Sequence, residues 1–94
     1  MRVRWLRRAV ANLLSSAQYI AERDPAAADR LIGRLEAAVA ELARHPRMGR
    51  PGRVSGTREL VVPGTPYLVP YRVIGDEVHI LRVFHGAQRW PEEM

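Results

Sequence analysis

The chain opens on an alternation, Arg2-Val3-Arg4-Trp5, in which polar and apolar residues trade places as in a short half-buried strand. From Leu6 the period lengthens. Leu6, Val10, Leu13, Leu14, Ala17 and Ile20 fall on one helical stripe, with Arg7, Arg8, Ser15, Gln18 and Glu22 outside it. Asp24-Pro25 punctuates the run, the aspartate suited to an N-cap and the proline to a first helical turn. A second stripe follows in Ala28, Leu31, Ile32, Leu35, Ala38, Val39 and Leu42, and ends at His45-Pro46. So short a break predicts an antiparallel helical hairpin.

Residues 46–57 are rich in Pro, Gly and Arg, carry no acid and predict a loop. Three strand-like runs come next, over residues 58–62, 67–74 and 77–85. Pro63-Gly64-Thr65-Pro66 separates the first two, and Gly75-Asp76 is a two-residue hairpin signal between the others. Residues 86–94 form a polar tail that holds Trp90. The predicted order is β-α-α-β-β-β. It describes an α+β fold in one domain spanning 1–94, a helical hairpin on one face of a mainly antiparallel four-stranded sheet. Pro70, unable to donate to a ladder, predicts a bulge or an unpaired stretch. The last run is apolar on both sides, with Val78, Ile80 and Phe84 on one and Leu81 and Val83 on the other. Two helices cover one face only, so the second is expected to lie under another chain. The alternatives are the chain's own tail and long loop, or a second copy.

Composition narrows the function. A chain of 94 residues supports one modest core. Without cysteine there is no disulfide, thiolate nucleophile or cysteine-held zinc, and three scattered histidines suggest no metal site. No cofactor is expected. No apolar run approaches the roughly 20 residues of a membrane span, and Asn12, Ser15, Ser16 and Gln18 break up any signal-like block. A cytoplasmic protein is the expectation, with no membrane partner. All fifteen basic residues are Arg against ten acids, giving +5. Arg codons are rich in G and C, so coding bias accounts for the choice of Arg over Lys. Even so, permanently charged guanidinium forks suit phosphate and carboxylate partners. Arg47, Arg50 and Arg53 in the acid-free loop are the candidate nucleic-acid contacts.

Taken together, several elements resemble the RelE/ParE family of bacterial type II toxin–antitoxin toxins. They are the hairpin exit His45-Pro46 with Met48-Gly49-Arg50-Pro51, then Thr57-Arg58-Glu59-Leu60, Tyr67 through Tyr71-Arg72-Val73, and Ile80-Leu81-Arg82-Val83-Phe84-His85. The resemblance covers nearly the whole chain. It implies a small toxin held in a hetero-oligomer by a cognate antitoxin, with Tyr71, Arg72, Arg82, Phe84 and His85 as the candidate antitoxin contacts. It also implies one of two activities, inhibition of DNA gyrase in ParE-like members or ribosome-dependent cleavage of messenger RNA in RelE-like ones.

Individual side chains favour the ParE-like branch. Metal-independent RNA cleavage needs a proton acceptor, a proton donor and cations at the phosphate. Where the nucleases keep basic residues, this chain has Glu59, Val61 and Leu68, and no tyrosine follows the last strand. His85 is the exception. With Arg58, Arg72 and Arg82 it forms the candidate catalytic set if the protein is a nuclease, so whether it is an enzyme stays open at this point. A basic nucleic-acid-binding module without toxicity is a further alternative.

Overall fold

A computed structural model describes residues 1–91 and 94. Strand β1 (Arg2–Trp5) leads into helices α1 (Arg7–Ala21) and α2 (Pro25–Ala40), and a 3₁₀ turn (Glu41–Ala43) ends the hairpin. Then come β2 (Arg50–Pro51), β3 (Arg58–Val61), β4 (Tyr67–Ile74), β5 (Glu77–Ile80) and β6 (Phe84–His85). The sheet order is β1-β5-β4-β3-β2, with β6 also on β4. β1 runs parallel to β5 and every other pair is antiparallel.

The α+β architecture is as expected, with two differences. The strand count is six, because the two-residue β2 pairs with β3 and the run 77–85 divides into β5 and β6. The division lies at the proline. Tyr71 pairs with Ile80 and Leu68 with Phe84, so Val69 and Pro70 on β4 face three residues, Leu81 to Val83. The lone hydrogen bond across this stretch runs from the Leu81 N–H to the Pro70 carbonyl. Proline supplies the acceptor and lacks the donor, and the bulge falls on the partner strand.

The helices form as their caps dictate. Asp24 accepts the Ala27 N–H at 3.1 Å and Pro25 opens α2. Asp24→Ala is expected to destabilise the protein by about 1 kcal/mol, lowering the melting temperature by about 4–8 °C. A thermal melt within 1 °C of wild type would refute this cap's contribution. Ala9, Leu13 and Ala17 of α1 and Leu31, Leu35 and Val39 of α2 are buried. The buried stripe of α1 is narrower than its apolar pattern, and Val10 and Leu14 face outward. Ala9, Leu13, Leu31, Leu35 and Val39 join Leu60, Val62, Tyr67, Val69, Tyr71, Val78, Ile80 and Val83 of the sheet side in one core, with Val3 and Trp5 packed alongside.

The second sheet face corrects the expectation of a covering chain. Leu68, Pro70, Leu81 and Phe84 are buried there by the chain itself. Trp90 lies on Phe84 with ring centroids 4.7 Å apart, and the Arg53 guanidinium stacks on Trp90 at 3.7 Å. Tail and long loop thus meet over this part of the face, through the stacked indole and guanidinium. The β4–β5 end stays open, and Ile74 is 50% exposed. Glu92 and Glu93, which carry no sequence-based assignment, lie outside the described residues.

Candidate functional site

The charged side chains singled out in the sequence separate into four groups. The first is anchored on a buried carboxylate. Glu59 is 3% exposed and accepts from Arg50 Nε and Nη2 at 3.2 and 3.1 Å. Its other oxygen accepts the Arg53 backbone N–H at 2.9 Å and Arg53 Nε at 3.3 Å. Burial pushes the Glu59 carboxyl up, but the Arg53 N–H, the Arg50 fork and the Arg53 charge outweigh it and hold it below its usual range. Arg50 and Arg53 are therefore partnered. This corrects the grouping of Arg47, Arg50 and Arg53 as one phosphate-tracking surface.

Arg47 belongs to a second group. With Arg58 and Arg72 it lines an open cleft of about 400 Å³ against the Tyr71 ring. Arg58 Nη1 donates to the Arg47 and Gly49 carbonyls at 3.2 and 2.8 Å, which fixes its guanidinium while leaving other N–H groups available. No acid lines the cleft among the described residues.

Arg82 forms the third group, on the bulge. Its Nε donates to Asn12 Oδ1 at 2.8 Å, and the same oxygen accepts the Val83 N–H at 3.2 Å. One α1 side chain thereby ties down the irregular backbone that Pro70 creates. Burial, aided by the Arg8 charge, pulls the Arg82 pKa below its ordinary value.

His85 stands in the fourth. It faces Tyr67 edge-on at 5.5 Å and lines a groove of about 440 Å³ between the helical hairpin and the 63–66 turn. His85 Nδ1 accepts the Ala87 N–H at 3.1 Å. In the neutral ring that assigns the proton to Nε2, the nitrogen with no partner among the described residues.

Of the candidate catalytic set, Arg58 and Arg72 share a cleft, and His85 lies apart from Arg58. Arg58 pairs with Tyr71 and His85 with Tyr67, four residues apart on β4. That is about 13 Å between backbone positions at the strand rise. Of the candidate antitoxin contacts, Tyr71 and Phe84 are fully buried and offer no surface. Arg72 and His85 reach the surface, and Arg82 is half-buried on Asn12. His79, read in the sequence as exposed or partner-facing, instead bonds Glu77 at 2.9 Å. Together with Arg2 it holds the Glu77 carboxyl down at about 2.

Sequence reasoning missed Asn12, Arg30 and Arg34. Asn12 sits one residue before the buried Leu13, and a polar residue bordering a helix stripe was the available signal. Arg30 and Arg34 recur at i, i+4 on α2, which places both along one side of the groove.

With this geometry in place, comparison with known proteins is decisive. Residues 3–90 match the family model of the ParE toxin of the type II toxin–antitoxin system parDE. The chain belongs to the ParE toxin family. Toxin Y4kP of Sinorhizobium fredii is 47% identical over 91 residues, covering 97% of this chain and 94% of that protein. Toxin RelE2 of Caulobacter vibrioides is 38% identical, covering 89% of this chain and 93% of that one. A solved structure of the chromosomal ParDE system from P. aeruginosa superposes with a TM-score of 0.83 at 30% identity, covering 90% of this chain and 95% of that chain. The RelBE2 toxin–antitoxin complex from Mycobacterium tuberculosis gives 0.62 at 31% identity, covering 89% and 95%. The protein is a type II toxin–antitoxin toxin of the ParE/RelE family. Among the described residues no helix is long and apolar enough to cross a membrane.

Proposed function

We propose that this toxin acts by binding, as a ParE-like inhibitor of DNA gyrase, and that a cognate antitoxin neutralises it in a hetero-oligomer. The observation that carries the reading is the hydrogen bond at His85. Its Nδ1 is engaged by the Ala87 N–H at 3.1 Å, which in the neutral ring leaves the hydrogen on Nε2. Such a ring donates a hydrogen bond to a partner and is not set up as a general base. Arg58, the second-strand cation of the candidate catalytic set, is set about 13 Å from His85 in backbone position along β4. The closer superposition on the ParDE toxin than on the RelBE2 one supports the same branch.

A RelE-like messenger-RNA endonuclease remains the second reading, favoured by the cleft of Arg47, Arg58 and Arg72 and by relatives named RelE. The two part in a supercoiling titration with purified toxin, with and without the co-encoded antitoxin. The expected result is inhibition relieved by antitoxin, with His85→Ala weakening it less than about tenfold, the worth of one polar contact of roughly 1.4 kcal/mol. Ribosome-dependent RNA cleavage that disappears in His85→Ala, without gyrase inhibition, would replace this reading with the second.

A further inference from the structure

The cleft of Arg47, Arg58 and Arg72 concentrates positive charge that no acid lining it balances among the described residues. Strand β4 runs on past the start of β3, so Arg72 and Val73 have no partner on that side, and the cleft opens there. Gly56, at φ 77°, brings the 52–57 loop beside it, and a Cβ at Gly56 would lie 3.8 Å from Arg72 Nε. The forks are held by carbonyls. Arg58 Nη1 donates to two of them, which leaves its Nη2 and Nε donors unspent. Arg72 Nη2 has one long contact to the Ser55 carbonyl at 3.4 Å. Arg47 is exposed, and the acids flanking these strands are committed elsewhere, Glu59 to Arg50 and Arg53 and Glu77 to Arg2 and His79. Carbonyl oxygens fix a guanidinium without cancelling its charge, so three like charges share one cleft and an anion relieves their repulsion.

We infer that this cleft is a binding site for the diphosphate group of a small ligand, gripped by the free donors of Arg47, Arg58 and Arg72. Inorganic pyrophosphate and a nucleoside diphosphate share that chemistry. The volume of about 400 Å³ is that of a small-ligand site. Charge density selects the occupant. A diphosphate gathers several negative charges on neighbouring oxygens, whereas a nucleic-acid strand spaces single charges along its length and needs exposed aromatic faces for its bases. The one ring lining this cleft, Tyr71, is fully buried. The site is also distinct from the positions where nucleases keep basic residues. Arg58 pairs with Tyr71, which belongs to the helix-side core, while Glu59, Val61 and Leu68 alternate to the opposite face. The inference goes beyond the toxin reading and depends on neither target.

Calorimetry on the purified toxin at fixed ionic strength tests it, with sodium pyrophosphate, adenosine diphosphate, inorganic phosphate and a single-stranded oligonucleotide as probes. Saturable one-to-one binding of pyrophosphate is expected, with inorganic phosphate weaker. Arg47→Gln and Arg72→Gln are each expected to lose at least about tenfold in affinity, the worth of a charge-assisted contact, while Arg7→Gln, an exposed change of equal charge on α1, stays within about twofold. Thermal melts verify that the variants fold. Adenosine diphosphate binding more tightly than pyrophosphate would support a nucleotide as the source, and weaker binding the inorganic anion. Absence of saturable pyrophosphate binding at millimolar concentrations, or wild-type affinity in both folded cleft variants, would overturn the inference. An equal loss in Arg7→Gln would overturn it in favour of unspecific charge attraction. An oligonucleotide that displaces pyrophosphate with higher affinity would overturn the small-ligand assignment and give the cleft to a nucleic-acid strand. No gyrase, ribosome or antitoxin enters the measurement, so its failure leaves the proposed function standing.

Discussion

Glu59→Gln is expected to lower the stability of the toxin by about 3 kcal/mol, the low end for breaking a buried ion pair, because the two stranded guanidinium groups are half-exposed and regain water. For a chain of this size that is a fall of about 12–24 °C in melting temperature. The glutamine retains one oxygen for the Arg53 N–H but presents an amide N–H₂ to cations that need acceptors. The effect has a pH signature. The folded carboxyl is held below its ordinary value of 4.5, so its contribution is fully present above that pH and is lost as pH falls through the lower folded value. The gap between wild type and variant is therefore constant near neutrality and closes in acid. Denaturant titrations at a series of pH values measure it, and a gap that widens below about pH 4.5 would contradict the assignment. The structural consequence concerns the second sheet face. Glu59 holds Arg53, and Arg53 is stacked on Trp90, so the variant is also expected to release the indole and redden its fluorescence.

Tyr71→Phe removes one oxygen and is expected to cost about 2 kcal/mol. Tyr71 is fully buried. Its hydroxyl donates to the Pro46 carbonyl at 2.7 Å and accepts the Gly49 N–H at 2.9 Å, so one atom pins both ends of the turn that leaves the helical hairpin. Phenylalanine fills the same space and leaves the donor and the acceptor without partners. Gly49 is the other half of the joint. A Cβ there would lie 2.6 Å from both Tyr71 Cε1 and Tyr71 Oη, and 3.0 Å from the Glu59 carbonyl. Gly49→Ala is thus expected to be at least as damaging, and combining it with Tyr71→Phe relieves only the clash with the oxygen. Equilibrium unfolding of the two single variants and the double variant gives the coupling directly. Strict additivity would show that the close approach does not carry the energy.

The elements themselves were legible because each is decided locally. Asp24-Pro25 caps a helix wherever it follows a stripe of period 3.6, and Gly75-Asp76 turns a hairpin whatever packs on it. Pro70 announced its bulge for the same reason, since the missing N–H is a property of the residue. What escaped the sequence were the partnerships. Glu59 reads as a polar strand position and is a buried anchor. Arg47, Arg50 and Arg53 read as one run with period three, yet one lines the basic cleft and two share the Glu59 carboxylate. Asn12 reads as a break in an apolar stripe and is the clamp on the bulge.

For the candidate site the same division holds. His85 was visible as the one titratable residue at the end of the last strand, and Arg72 as a charge on a strand otherwise apolar at both sides. Their separation was invisible. Residues 58, 72, 82 and 85 read as one basic set in the C-terminal half, but strand register places Arg58 and His85 opposite positions of β4 four residues apart. The groove rim was hidden for the converse reason. Arg30 and Arg34 precede His85 by more than fifty residues, and they share a groove only because the helical hairpin folds back over the 63–66 turn.

The sequence by itself determined the helical hairpin, the succession of the main strand runs along the chain, the family and an excess of donors seeking anions. The tertiary structure alone decided which of those donors remain unspent. A charge is a property of a residue, whereas its availability depends on which acceptor the folded backbone brings within 3 Å. Here the fold sets Glu59 against Arg50 and Arg53 and Asn12 against Arg82, and leaves Arg30, Arg34 and His85 lining one groove with an apolar floor.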